Sequence, residues 1–262
     1  MKRGNIFWGV ILILLGVLFY LKAVKLIDDV FSWFWPVALI LVGAWVLFGR
    51  YLPGFNSSTE SFSIDLESAT KLDLGIEHGA GSLIFSGGAP AGVAISGLKG
   101  AGLDVSNSRM NDSLGVEIHA GPSFLPFLGP ENGEWRFNLS TEVPVAIKLD
   151  SGASHLVFDL TDVKLTYLGV ETGASSLQVQ LPANAGHSLV QVESGAASID
   201  LTVPEGVGAR IRFEQGASSI SVDEKRFPKT GLSNLYQSID YDNAANKVEI
   251  NLEGGANSVN IH

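Results

Sequence analysis

The 262-residue chain carries 17 Lys+Arg against 27 Asp+Glu, a formal charge of −10, and has no cysteine. Those figures exclude a disulfide-stapled mini-domain, a thiolate metal site and a thiol enzyme. So acidic a chain is also a poor phosphate binder, which argues against nucleic acid as a partner.

Charge and composition divide the chain at about residue 51. Residues 1–50 hold five basic residues, two acidic ones and Trp8, Trp33, Trp35 and Trp45. Ile6–Leu21 is uncharged over sixteen residues, about 24 Å of helix. Ala23 and Val24 lengthen that run when Lys22 snorkels. Val30–Phe48 adds nineteen residues, about 28 Å. Both suit a hydrocarbon core of about 30 Å, and the short charged connector Lys22–Asp29 makes them an antiparallel pair. Tyr20, Trp33, Phe34, Trp35 and Tyr51 fit an interfacial aromatic belt. Pro36 suits the first turn of a helix capped by Ser32, and Gly9 and Gly16 offer a face for close helix approach. A cleaved signal peptide is the rival reading, but no small-x-small site follows Tyr20. Lys2, Arg3 and Arg50 outvote Lys22 and Lys25, which places both termini, and so the following domain, on the cytoplasmic side. Residues 1–51 are therefore expected to be a two-span hairpin in the lipid bilayer, and 52–262 a separate domain.

That second region repeats. Gly79, Gly152, Gly173, Gly195, Gly216 and Gly255 each open a Gly-Ala-x-Ser-like corner, with Gly-Ser, Ser-His, Ser-Ser, Ala-Ser, Ser-Ser and Asn-Ser closing them in turn. Apolar residues recur at −5, −3, +4 and +6 from each glycine. Around Gly173 they are Leu168, Val170, Leu177 and Val179; around Gly195, Val190, Val192, Ile199 and Leu201. The same frame finds a cryptic unit at Gly121 (Val116, Ile118, Leu125, Phe127) and a degraded one at Gly100, where Leu103 and Val105 are out of step. Ser58 with Phe62, Ile64 and Leu66 reads as an opening half-unit.

Period-two alternation on both sides of a tight corner describes strand–corner–strand, with glycine expected to supply positive φ. A unit so short buries its apolar side only by stacking on copies of itself. The predicted fold is a membrane α-helical hairpin plus an all-β domain: a right-handed single-stranded parallel β-solenoid with coils of about 21 residues. About nine coils make a rod of roughly 40 Å. An antiparallel sandwich is the alternative, but it gives no reason for one corner motif to return in a fixed frame. Two steps break the period. The stretch between Gly121 and Gly152 includes Phe124–Pro130, and that between Gly216 and Gly255 includes Lys225–Lys229 and Leu235–Tyr241. Both are expected as loops leaving the stack or packing on their own coil.

Little in the chain points to chemistry. His78, His119, His155, His187 and His262 are scattered, and His78 and His155 fill corner slots that hold Ser, Thr or Gln elsewhere. HExxH, CxxC, an EF-hand loop and a helix-opening GxGxxG are all missing. Asp159, Asp200 and Asp223 fall near one face beside Gln178, Gln180, Ser198, Thr202 and Ser221, with no basic partner in register. A glycan-acting β-helix needs acids clustered on successive coils. No catalytic, cofactor-binding or metal-binding residue is therefore predicted, and the chain is expected not to be an enzyme.

Gly9–Gly16 and Trp35–Gly43 match the two halves of the LiaI/LiaF-like transmembrane region, which residues 4–50 resemble. Residues from about 60 to 262 resemble the toast-rack adhesin-like domain, down to the ending Tyr241–Ile261. That resemblance implies a bacterial envelope-stress protein acting through contacts with a membrane histidine kinase or another envelope protein, with no catalytic residues. Regulators of that type often carry four spans where this chain shows two. The alternatives are a self-assembling rod, like the bactofilin class, joined through an uncapped edge at Ile261-His262, and a glycan-binding or glycan-acting β-helix.

Overall fold

Residues that alternate between apolar and polar on both sides of a glycine can form one continuous strand with a single buried side. The computed structural model shows this arrangement. It describes residues 60–99, 102–121, 134–231 and 234–262, together with 13, 16, 17, 19, 20, 22, 24, 25, 34–40 and 43 near the N-terminus. The chain separates into two compact units, Met1–Phe55 and Asn56–His262. In the first, residues 34–40 are helical. Most of Ile6–Leu21 and Val30–Phe48, with Gly9, Ser32, Trp33 and Tyr51, lies outside the described residues. Among those described, no helix is long and apolar enough to cross a membrane.

The second unit is mostly β. Its described strands are β1 (Glu60–Asp65), β2 (Lys71–Gly87), β3 (Val93–Lys99), β4 (Leu103–Met110), β5 (Ser113–Ala120), β6 (Glu134–Leu139) and β7 (Val145–Asp159), then β8 (Leu165–Gln180), β9 (His187–Thr202), β10 (Gly208–Gln215), β11 (Ser219–Val222), β12 (Leu235–Gln237) and β13 (Lys247–Ile261). The long strands β2, β7, β8, β9 and β13 each run through their corner glycine and pair in parallel, in register. Equivalent apolar residues therefore lie side by side. Leu83, Leu156, Leu177, Ile199 and Val259 form one continuous row, and Leu74, Ile147, Leu168, Val190 and Ile250 another. All ten are essentially inaccessible to solvent. Burying each such side chain is worth about 1.5–3 kcal/mol, so the row positions carry the stability of the stack.

The rungs do not follow sequence order at either end. The neighbour of β9 is β13, and β10 and β11 pair on the far side of β13. Ile220 thus belongs to the row, but Val259 separates it from Ile199. At the other end β2 pairs with β7 and skips the intervening chain, while β5 and β6 pair on its other side. The two long steps in the repeat coincide with these crossings. Leaving a rung vacant and returning to fill it takes more chain than stepping to the next level.

Several expectations change as a result. The Gly121 unit is real in its first half, where Val116 and Ile118 on β5 align with Leu74 and Ile76. Its second half is β6, where Trp135 and Phe137 align with Leu83 and Phe85. Leu125 and Phe127, like the segment Phe124–Pro130, lie outside the described residues. Gly100 lies outside the described residues; after it, β4 runs antiparallel to β5, which is why Leu103 and Val105 fall out of step. Ser58 lies outside the described residues, and β1 pairs antiparallel with β3. The uncapped edge is not at Ile261, because β13 is paired on both sides. Among the described residues β11, paired in parallel with β13 alone, leaves an edge open.

The corner glycines are required for a different reason from the one the motif suggests. None of Gly79, Gly152, Gly173, Gly195, Gly216 and Gly255 has positive φ. A Cβ on Gly152 would lie 2.5 Å from the Gly79 carbonyl oxygen, one on Gly173 3.0 Å from that of Gly152, and one on Gly195 2.8 Å from that of Gly173. At every one of these corners but Gly79, the adjacent rung approaches too closely for a side chain.

Candidate functional site

Position −2 from each corner glycine points outward and is acidic in six rungs: Glu77, Asp150, Glu171, Glu193, Glu253 and Glu214. Strand register places each beside the next in that order. His119 on β5 continues the line beyond Glu77, and Asp104 on β4 lies opposite His119. Eight positions at about 4.8 Å per rung make a stripe of roughly 34 Å. All eight residues are exposed. His119 Nδ1 lies 3.0 Å from Glu77 Oε2. Among the described residues, Asp150, Glu171, Glu193, Glu214 and Glu253 have no ion-pair partner. Like charges directly opposite on neighbouring strands are destabilising, so the stripe costs stability in the free protein.

The glycine row leaves a trough alongside. A groove of about 480 Å³ is lined by Asp150, Glu171, Glu193 and Glu253 with Gly173 and Gly195. A second, of about 620 Å³, is lined by Glu77, Asp104, His119 and Asp150 near the β4–β5 end. Both are open, and the first is mainly polar, suited to an extended cationic surface and not to an enclosed small molecule.

Behind the stripe the corner is polar as well. Position −1 holds His78, Ser151, Thr172 and Ser194, all buried. Ser151 Oγ bonds Ser154 Oγ. Asn257 Oδ1 accepts from Ser194 Oγ at 3.1 Å and from the Ala197 backbone N–H at 2.8 Å. His78 Nδ1 donates to the Ala120 carbonyl at 2.9 Å, and Nε2 has no partner. Burial pushes the His78 pKa below the ordinary imidazole value, against a smaller upward pull from the Ala120 hydrogen bond.

The remaining candidates do not converge. His155 is exposed beside Ser82 and Ser176, and His187 is exposed beside Lys247. His262 Nδ1 lies 3.5 Å from Asp200 Oδ1. Asp159 aligns with Gln180, whereas Asp200 aligns with Gln178 and Asn260, so these two acids sit at different heights along their strands. Asp223 lies beyond Val222, its backbone N–H bonded to the Ile261 carbonyl. Among the described residues no three His, Asp or Glu are grouped as a metal would need. The acidic stripe itself escaped the sequence reading, although its signal was plain: the frame that found apolar residues at −3 and −5 has an acid at −2 in six units and His119 in the Gly121 unit.

Stacked parallel rungs behind an apolar, tryptophan-rich head define a mostly β protein associated with a membrane. The chain belongs to the toast_rack family, matching its N-terminal domain over residues 53–202. Residues 6–47 match the LiaI-LiaF-like transmembrane region, which assigns the protein to the membrane. The crystal structure of a candidate cell adhesion protein from Clostridium sporogenes is similar, with 21% identity, a TM-score of 0.67, and coverage of 79% of this chain and 99% of that one. At that identity the likeness is one of fold. A candidate adhesin from Bacteroides fragilis aligns at 9% identity and a TM-score of 0.27, over 78% of this chain and 97% of that one, too weakly to support an argument. No curated protein matches the chain.

Proposed function

We propose that the protein is a non-enzymatic, right-handed β-solenoid anchored by two membrane spans, which senses or regulates cell-envelope stress through protein contacts. The acidic stripe is its contact face. Six carboxylates in adjacent rungs, five of them without counter-charge among the described residues, support this reading. Such a surface is costly alone and is relieved by a basic partner, a membrane histidine kinase or another envelope protein. The family resemblance and the transmembrane match support the setting. The solenoid domain is placed on the cytoplasmic side by the basic residues flanking the spans, which a reporter fused after His262 tests.

The decisive experiment replaces Asp150, Glu171, Glu193 and Glu253 by Asn or Gln in the full chain. Loss of captured envelope partners and of the response to wall-active agents, with the protein still folded, is the expected result. Unchanged capture and response would remove the stripe from the account. A structural rod is the second reading, favoured by β11: Ser219–Val222 is an uncharged edge with one partner strand, and edges of that kind invite pairing. Sedimentation of the full chain in detergent separates the two. A monomer supports contact signalling, and long filaments support the rod.

A further inference from the structure

The three central rungs carry a hydroxyl at position −1, as Ser151, Thr172 and Ser194, but the β2 rung carries His78. His78 is 4% exposed and sits between Ala120 on β5 and Ser151 on β7. Its Nδ1 meets the Ala120 carbonyl at 2.9 Å, and a carbonyl only accepts, so Nδ1 carries the proton and Nε2 is a bare lone pair. Nε2 is enclosed and has no hydrogen-bond partner among the described residues.

We propose that His78 is an acid-sensitive latch for the β4–β5 hairpin: neutral, it ties β5 to the stack, and protonated at Nε2 it opens the hairpin from β2.

A second N–H at Nε2 would be a buried donor on a buried cation, with nothing to receive it. Among the described residues no charged group on a neighbouring element hydrogen-bonds Nε2, although His78 lines the second groove with Glu77, Asp104 and Asp150. Glu77 on β2, Glu117 and His119 on β5, Asp104 on β4, and Asp150 and His155 on β7 are all exposed, whereas His78 is in the buried set. Opening β5 exposes the imidazole to water, where it protonates freely. The hairpin is also peripheral: among the described residues β4 pairs only with β5, and β5 only with β4 and β2. Folded-state His78 has a pKa below its ordinary value of about 6.5. The opened state therefore binds the proton more tightly. Closure is fully favoured above that ordinary value and is lost as the pH falls from there towards the folded-state pKa. Across that window opening takes up a proton, so the open population rises as the pH falls, by at most about tenfold per pH unit.

Hydrogen exchange of the full chain in detergent, at pH 7.5, 6.5 and 5.5 and corrected for intrinsic rates, tests the latch. Amides of 103–120 are expected to lose protection progressively as the pH falls below about 6.5, while those of 165–202 hold theirs. His78→Ser, which restores the hydroxyl of the central rungs, is expected to abolish the pH dependence. His119→Gln is expected to keep it, because His119 lies outside against Glu77. Protection of 103–120 that is indifferent to pH, or equal acid loss along the whole stack, overturns the proposal from the unaltered protein alone. So does a pH dependence that survives in His78→Ser.

Discussion

The middle of the stack and its two ends are built from the same repeat but obey different rules. β7, β8 and β9 follow one another in space as in sequence, and their inward positions are covered on both sides. At the ends the chain overshoots, turns and comes back, so β13 lies inside β10 and β11, and β2 lies inside β5 and β6. Antiparallel strands finish most edges, with β4 on β5, β3 on β6 and β12 on β10. A purely sequential stack would expose a long parallel strand at each end. Here the outermost positions are short strands, and short edges resist unwanted pairing. Sequence regularity marks the centre, and broken regularity marks where the stack is closed.

Substitutions should separate the two regions, beginning with the apolar row. Leu177 is fully buried in the centre and Ile220 is 39% exposed at the end, though both occupy position +4. Leu177→Ala is expected to cost about 2–5 kcal/mol in denaturant unfolding, and Ile220→Ala well under half as much. Equal costs would mean that the end is as tightly packed as the centre. The glycines come next. Gly152→Ala drives a methyl against the Gly79 carbonyl oxygen, whereas a Cβ on Gly79 meets nothing within 4 Å. The first is expected to lower stability by about 1–3 kcal/mol, and the second to leave the melting temperature nearly unchanged.

Asn257 tests the junction where the returning strand enters. Its Oδ1 holds Ser194 Oγ and the Ala197 N–H of β9. Asn257→Ala strands a buried backbone donor and is expected to cost about 1–2 kcal/mol. The smallest effect has the opposite sign. Glu193 stands between Glu171 and Glu253, so Glu193→Gln is expected to stabilise by a few tenths of a kcal/mol. High salt should erase the gain.

The centre was legible because Leu168, Val170, Leu177 and Val179 repeat in Val190, Val192, Ile199 and Leu201 with the same spacing. The order at the ends was not, and for a physical reason. Every rung presents the same apolar frame, so Ile199 is equally satisfied by Ile220 or Val259, and nothing local distinguishes the two. Only the long steps before Gly152 and Gly255 hinted at a crossing, and they read as ordinary insertions. The glycines were placed correctly and explained wrongly, since tight turns and close backbone contact both select glycine. His78 was assigned to a corner slot, but its lone Nε2 depends on where Ala120 falls, forty-two residues away.

The central claim is the non-sequential order of rungs, and the absence of cysteine lets it be tested directly. Ser198 lies beside Ser258, and Ser258 beside Ser219, so Ser198 and Ser219 are two rungs apart. Disulfides need Cα atoms about 4.4–6.8 Å apart, which adjacent rungs satisfy and alternate rungs do not. Under mild oxidation the pair Ser198→Cys with Ser258→Cys should cross-link readily, and Ser198→Cys with Ser219→Cys should not. The reverse result would show the coils stacked in chain order and contradict the fold described.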